Sequence, residues 1–173
     1  MGREPDWDAE MDVELLLDFL NTVDIEAATD VLGDERAWWK WVADRRLPPS
    51  GSPSRAKTVR DALRTSLTQR HTGQYPTVRL PAPVGAGGGA VRVELSGGVP
   101  TLVSEDAIGA VLAAATRLAV AGYWERIKIC PAEDCRWAFC DKSRNRSRTW
   151  CSMRICGNRE KARNWRERAR SSA

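Results

Sequence analysis

The sequence predicts an α+β chain, with a mainly helical N-terminal domain carrying one β-hairpin and a small cysteine-bearing module that ends in a basic helix. Three observations predict it. Apolar residues recur at helical spacing in several stretches before residue 125. Two β-rich runs bracket a Ser-Gly-Gly turn. All five cysteines fall after residue 125, where the charge changes sign: residues 126–173 carry 14 Lys+Arg against 5 Asp+Glu, net +9, and residues 1–125 carry 13 against 18, net −5. Such asymmetry predicts an appended basic module that meets a polyanion, and the division is placed at 1–125 and 126–173.

The elements follow in order. Residues 13–20 (VELLLDFL) read as a short buried helix closed by Asn21 and Thr22. Residues 34–44 (DERAWWKWVAD) read as a second helix, with Asp34 as cap and Pro48-Pro49 beyond its end. Trp38 and Trp41 share a face there, with Trp39 directed elsewhere. A third helix spans 54–71, with Val59, Leu63 and Leu67 on one stripe. Residues 76–89, rich in Pro and Gly, read as irregular and mobile. The runs AVRVEL and VPTLVS, joined by Ser96-Gly97-Gly98, give the hairpin. Ser104, Glu105 and Asp106 open a helix to about residue 124, with Ile108, Val111, Leu112, Ala115, Leu118 and Ala119 as its core face.

Several classes are excluded. No run approaches the ~20 apolar residues of a membrane span; the best, 107–124, is interrupted by Gly109, Arg117 and Gly122. The acidic start MGREPDWDAEMD is unlike a signal peptide, so a cytoplasmic protein is expected. No Ser/His/Asp set or Glu/His hydrolase motif is present, and Gly87-Gly88-Gly89 precedes a strand rather than a phosphate-binding helix, so no enzyme is expected.

Four cysteines form two matched pairs, Cys130-x4-Cys135 and Cys151-x4-Cys156, separated by fifteen residues. Reduced thiols in matched pairs suit one tetrahedral structural zinc, filled completely by protein. The only histidine, His71, is remote and reads as a surface or capping residue. Between the pairs, RWAFCD and RTWCS read as two strands joined by the loop KSRNRS, and the second pair opens a helix, a treble-clef-like order. Cys140 alternates away from Trp137 and Phe139, as a half-buried side chain or a redox-sensing thiol.

On a helix over 155–170, Ile155, Ala162, Trp165 and Ala169 form an apolar side suited to packing on the finger's hairpin. Arg159, Arg163, Arg166 and Arg170 fall within roughly 60° of one another. Phosphates would answer that stripe, and arginine also reads guanine in the major groove. Lys142, Arg144, Arg146 and Arg148 on the loop would reach the neighbouring backbone.

The stretch WCSMRICGNREKAR resembles the signature of the CGNR zinc-finger family, at Cys156, Gly157, Asn158 and Arg159. Upstream, CPAEDCRWAFCDKSRNRSR is similar through Cys130, Cys135, Trp137, Phe139, Asp141 and Ser143. LLLDFLNT resembles the motif opening the ABATE domain, which commonly precedes this finger in bacterial, especially actinobacterial, proteins. The resemblance implies a stress-induced transcription regulator, nucleoid-associated, with one Zn2+ held by Cys130, Cys135, Cys151 and Cys156 and a DNA-binding C-terminus. Cys140 departs from the plain apolar residue usual at that position. Within this frame Gly157 would let the backbone pass close to the thiolates, and Asn158 would clamp hairpin to helix or contact DNA. Arg159 would join the stripe or brace Asp141. Asp18, Asn21 and Thr22 would bond at a helix end or line a small-molecule pocket. A small DNA-binding module would also need a homodimer or another partner. Two other readings share these residues: a small-molecule or protein-interaction module with a purely structural finger, and an RNA-binding protein.

Overall fold

The computed structural model describes residues 8–70, 73, 77, 80 and 88–171. His71 and most of 76–89 lie outside them. Five helices and three two-stranded antiparallel sheets follow one another in the described residues.

Helix α1 (Ala9–Leu20) starts earlier than its apolar run, because the Asp8 carboxylate accepts the N–H groups of Glu10 and Met11. A small hairpin, β1 (Val23–Asp24) and β2 (Thr29–Asp30), and a 3-10 turn over Val31–Gly33 then lead to α2 (Glu35–Asp44), capped by Asp34. Neither the hairpin nor the turn was legible as an apolar pattern. Helix α3 spans Pro53–Arg70. Strands β3 (Arg92–Ser96) and β4 (Val99–Val103) pair where the Ser-Gly-Gly turn predicts. Helix α4 (Ala107–Val120) stops short of residue 124: Gly122 takes a φ of 75°, and a 3-10 turn over Trp124–Arg126 follows. Ala119, expected in the core, is exposed.

The core is built from Leu16, Phe19 and Leu20 of α1, Trp38, Trp41 and Val42 of α2, Val59 and Leu67 of α3, and Ile108, Val111 and Leu118 of α4. Trp38 and Trp41 stack with centroids 5.3 Å apart, and Trp38 Nε1 donates to Gly51 O at 3.2 Å. Trp39 is half-buried against the same core.

That core does not end at residue 125. Strands β5 (Ile127–Ile129) and β6 (Ala138–Cys140) pair with each other, and Ile127, Ile129 and Ala138 are buried in the same cluster as the helices. The hairpin predicted between RWAFCD and RTWCS is therefore different: β6 pairs with the preceding IKI segment, and residues 148–150 form no strand. The cause is Lys128, whose ammonium takes the carbonyls of Arg146 (2.6 Å) and Arg148 (2.9 Å) and curls that segment into a loop. The alternation Ile127-Lys128-Ile129 is the one trace of the true partner strand in the sequence, and at three residues it is too short to identify a strand.

Polar side chains fix this hairpin to the helices. Asn21 at the end of α1 exchanges two hydrogen bonds with the Ala138 backbone, its Nδ2 donating to O at 3.0 Å and its Oδ1 accepting from N at 2.8 Å. From α3, Arg64 donates to Leu20 O and Arg136 O (2.8 and 2.7 Å), and Arg70 to Trp124 O and Ile127 O (2.9 and 2.5 Å). One turn earlier, Arg60 is buried and pairs with Asp30 at 2.5 Å. None of these α3 arginines stood out in the sequence, because each lies among exposed charges on a helix of low overall hydropathy.

Candidate metal centre and nucleic-acid interface

The metal centre begins with a tight loop between β5 and β6. Cys130 N–H donates to Trp137 O at 2.9 Å, and the N–H groups of Cys135 and Arg136 both donate to Ala132 O at 3.1 and 3.0 Å. Arg136 holds a left-handed φ of 53° to make that reversal. The second half is a π-helical turn, Met153–Gly157, capped by the Ser152 hydroxyl and preceded by Cys151. Cys156 sits inside the turn and α5 (Asn158–Ser171) continues from it.

The four Sγ atoms lie within 4.8 Å of one another, with Cys135–Cys151 and Cys151–Cys156 each at 3.5 Å. A zinc tetrahedron with bonds near ~2.3 Å has edges of about 3.8 Å. The donor set is four thiols and no oxygen or imidazole, so the residues present fit one structural zinc. Burial pushes the Cys135 thiol up to about 11 and the Cys151 thiol higher, its thiol neighbours adding to the effect. Burial also raises Cys156, but the Arg159 hydrogen bond at 3.6 Å and those from the other three thiols together outweigh it, and that thiol is lowered. Metal binding must therefore displace protons from Cys135 and Cys151. Cys130, Cys156, Ala132 and Phe139 form a small buried cluster around the site, flanked by Trp150.

Gly157 has a different role from the one predicted. Its N–H donates to Ser152 O at 3.1 Å rather than to a thiolate, and an added Cβ would lie 2.5 Å from Met153 Sδ. Asn158 does not clamp the hairpin: its Nδ2 donates back to Arg154 O at 3.2 Å. Arg159 does not reach Asp141 but pairs with Asp134 at 3.0 Å and Glu26 at 3.3 Å, tying the thiol site to the β1–β2 hairpin. The Cys156 sulfur, followed by these anions, holds the Arg159 guanidinium pKa above the usual range.

Asp141 is instead the fully buried hub of the loop. It accepts from Lys128 Nζ at 2.7 Å and from the N–H groups of Ser143 and Arg148 at 2.9 Å each. Burial alone would raise its pKa, but these donors hold the carboxyl well below the usual range. Arg126 adds bonds to the carbonyls of Asp141 and Ser143 at 2.9 and 3.0 Å. Lys128 and Arg126 escaped the sequence reading because their partners are mostly backbone atoms.

The predicted basic contacts separate into two groups. Arg148 is committed to the finger: it donates to Trp150 O and Cys151 O and lies 5.0 Å over the Phe139 ring. Arg159 is committed as described, and Arg163 pairs with Glu160. Arg144, Arg146, Arg166 and Arg170 are exposed, and their guanidinium groups form no ion pair with the described residues. Helix α5 packs chiefly on the π-turn from which it springs. Its apolar side, expected to cover a hairpin, has Ile155 60% and Trp165 67% exposed. The physical reason is the strand exchange: the β5–β6 hairpin turns its apolar residues toward the helical core, leaving no sheet for α5 to lie on.

A groove of about 920 Å³ runs between α1 and the finger. Glu10, Glu14 and Asp18 form one rim, Arg126, Lys142 and Arg144 the other, with Trp137, Phe139 and Cys140 among the lining residues. Asp18 and Asn21 line it, although Asp18 also pairs with Arg45 at 2.5 Å and Asn21 is engaged with Ala138. Thr22 does not line it: its buried hydroxyl donates to Phe19 O at 2.8 Å and accepts from Arg60 at 3.2 Å. Cys140 is half-buried against the main core, and desolvation pushes its thiol up, away from thiolate reactivity.

The family model for the CGNR zinc finger matches residues 126–169, which contain all four thiols and the first three turns of α5. No curated protein matches the chain in sequence. Among the described residues, no helix is long and apolar enough to cross a membrane.

Proposed function

We propose that this protein is a zinc-dependent transcription regulator that grips duplex DNA with α5 and the 142–148 loop, its finger arranged in treble-clef-like order. The carrying observation is that α5 leaves the metal site as a projecting helix with Arg166 and Arg170 free on its surface. Such a helix fits the major groove, and Arg144 and Arg146 supply phosphate contacts beside it. On this reading the zinc is structural and the protein works by binding rather than by catalysis, in the cytoplasm and on the nucleoid. The helical body is ABATE-like; supporting that assignment, Asn21 of the LLLDFLNT stretch joins it to the finger. The groove beside Asp18 would admit a small-molecule effector.

The test is a salt titration of duplex binding by the zinc-loaded chain. Each neutralised phosphate contributes ~0.9 to the log–log slope. Arg166→Ala with Arg170→Ala should flatten the slope by up to ~1.8. An unchanged slope and affinity would overturn the proposal. A second reading is favoured by one observation: exposed Trp165 beside free arginines suits stacking on unpaired bases. Single-stranded RNA that outcompetes duplex DNA, with loss on Trp165→Ala, would select it instead.

A further inference from the structure

The β3–β4 hairpin stands apart from the rest of the body in composition and exposure. It is a sheet of two strands, and such a sheet is marginal in water without further strands or a covering element. Its register sets Val93 opposite Leu102 and Leu95 opposite Pro100, so these four share one face. Val93 is 66% and Leu95 74% exposed. Strand β4 leans on α4, which leaves the far edge of β3 open among the described residues.

The base of the hairpin is firmly held. The Asp106 carboxylate accepts the N–H groups of Gly89 and Gly109 at 2.8 Å each, and any side chain at 109 would collide with Ser104 and Ala90 O. The edge is thus presented by a fixed support.

We propose that the open edge of β3 is a self-pairing surface, occupied by β3 of a second copy of this chain in a two-fold antiparallel sheet of four strands. The charge order selects the occupant and the register. Centred on Val93, the pairing sets Arg92 opposite Glu94 of the partner subunit, and the two-fold axis repeats that contact. It also brings the two Val93 side chains together on the apolar face. A slip to Glu94 as centre would oppose two carboxylates, which is destabilising. A short, self-complementary patch of this kind is what an isologous interface requires. Arg92 meets Glu105 at 2.5 Å and Glu94 at 3.9 Å within its own chain, but all three are exposed and free to exchange partners.

The inference deepens the DNA-binding reading, which asks for a homodimer or another partner, by committing to the homodimer, yet it is read by mass alone, without nucleic acid. The test uses the full zinc-loaded chain in sedimentation velocity. Wild type should sediment as a dimer. Arg92→Glu sets Glu against Glu and Glu94→Arg sets Arg against Arg, so each variant alone should be monomeric. Mixed one to one, the two variants restore both opposite-charge contacts and should dimerise again, at least tenfold more tightly than either alone. Unchanged circular dichroism and zinc content establish that each variant is folded. A monomeric wild type overturns the proposal. So does a variant that stays dimeric alone, or a mixture that stays monomeric. Lost DNA binding with an intact dimer would sink only the nucleic-acid reading.

Discussion

Strands β5 and β6 flank Cys130 and Cys135 and bury Ile127, Ile129 and Ala138 in the same core as four helices. The π-turn that holds Cys156 and the helix α5 after it leave Ile155 and Trp165 in solvent. One metal site therefore joins a half that the body would hold anyway to a half held chiefly by the metal and Arg159. The difference teaches where the stability of each half resides: hydrophobic burial and backbone clamps for the first, metal–thiolate bonds for the second.

The largest effect should come from chelating the zinc, since structural sites in finger peptides contribute ~10–16 kcal/mol. Hydrogen exchange should show residues 151–171 losing protection while Ile127–Ile129 keep theirs. Equal loss in both halves would erase the contrast. Because Cys135 and Cys151 are pushed up as free thiols, chelation should become easier as pH falls.

Asp141→Asn comes next, at about 3–5 kcal/mol, because it leaves Lys128 buried without its anion. Asp141 has a depressed folded pKa, so its stabilisation is complete above the ordinary carboxylate value of about 3.9 and is lost as pH falls below it. Urea unfolding should show a constant gap between wild type and variant from pH 7 to about pH 5, a gap that narrows as pH falls below about 3.9 and closes only as pH reaches the depressed folded value. Asn21→Ala should cost about 1–3 kcal/mol by leaving the Ala138 groups unpaired, with zinc content unchanged. If it instead released zinc, the first half would depend on the metal after all. The smallest effect belongs to α5: Trp165→Ala should change thermal stability by less than about 0.5 kcal/mol, against about 3–5 kcal/mol for buried Phe139→Ala.

Much of this was legible in the chain because local chemistry decided it. Asp34 and Asp106 cap helices as their positions predict, and the matched cysteine spacings meet in one site. The partner of β6 was not legible, since Ile127-Lys128-Ile129 is only three residues long and its identity as a strand depends on burial against α3. Nor was the fate of the arginine stripe. Residues 159, 163, 166 and 170 are equivalent on a helical wheel, yet Glu26 and Asp134 claim Arg159 through contacts that helical periodicity does not encode, while Glu160, its i,i+3 neighbour, claims Arg163. Asn21 at a helix end needs a partner on sequence grounds alone, but that partner lies 117 positions away on a strand whose pairing the sequence pattern does not reveal.

The bonds from Arg64 and Arg70 to the backbone at 136 and 127 bear on the spacing of any DNA site. They make the finger a bracket rather than a bead on a string. Two chains joined through their bodies would present their α5 helices at one separation and one azimuth. A single inserted base pair rotates one half-site by about 34–36° about the duplex axis. A rigid bracket has no swivel with which to follow that rotation, so the permitted spacing between half-sites would be a property of the fold, measurable by sliding one half-site past the other a base pair at a time.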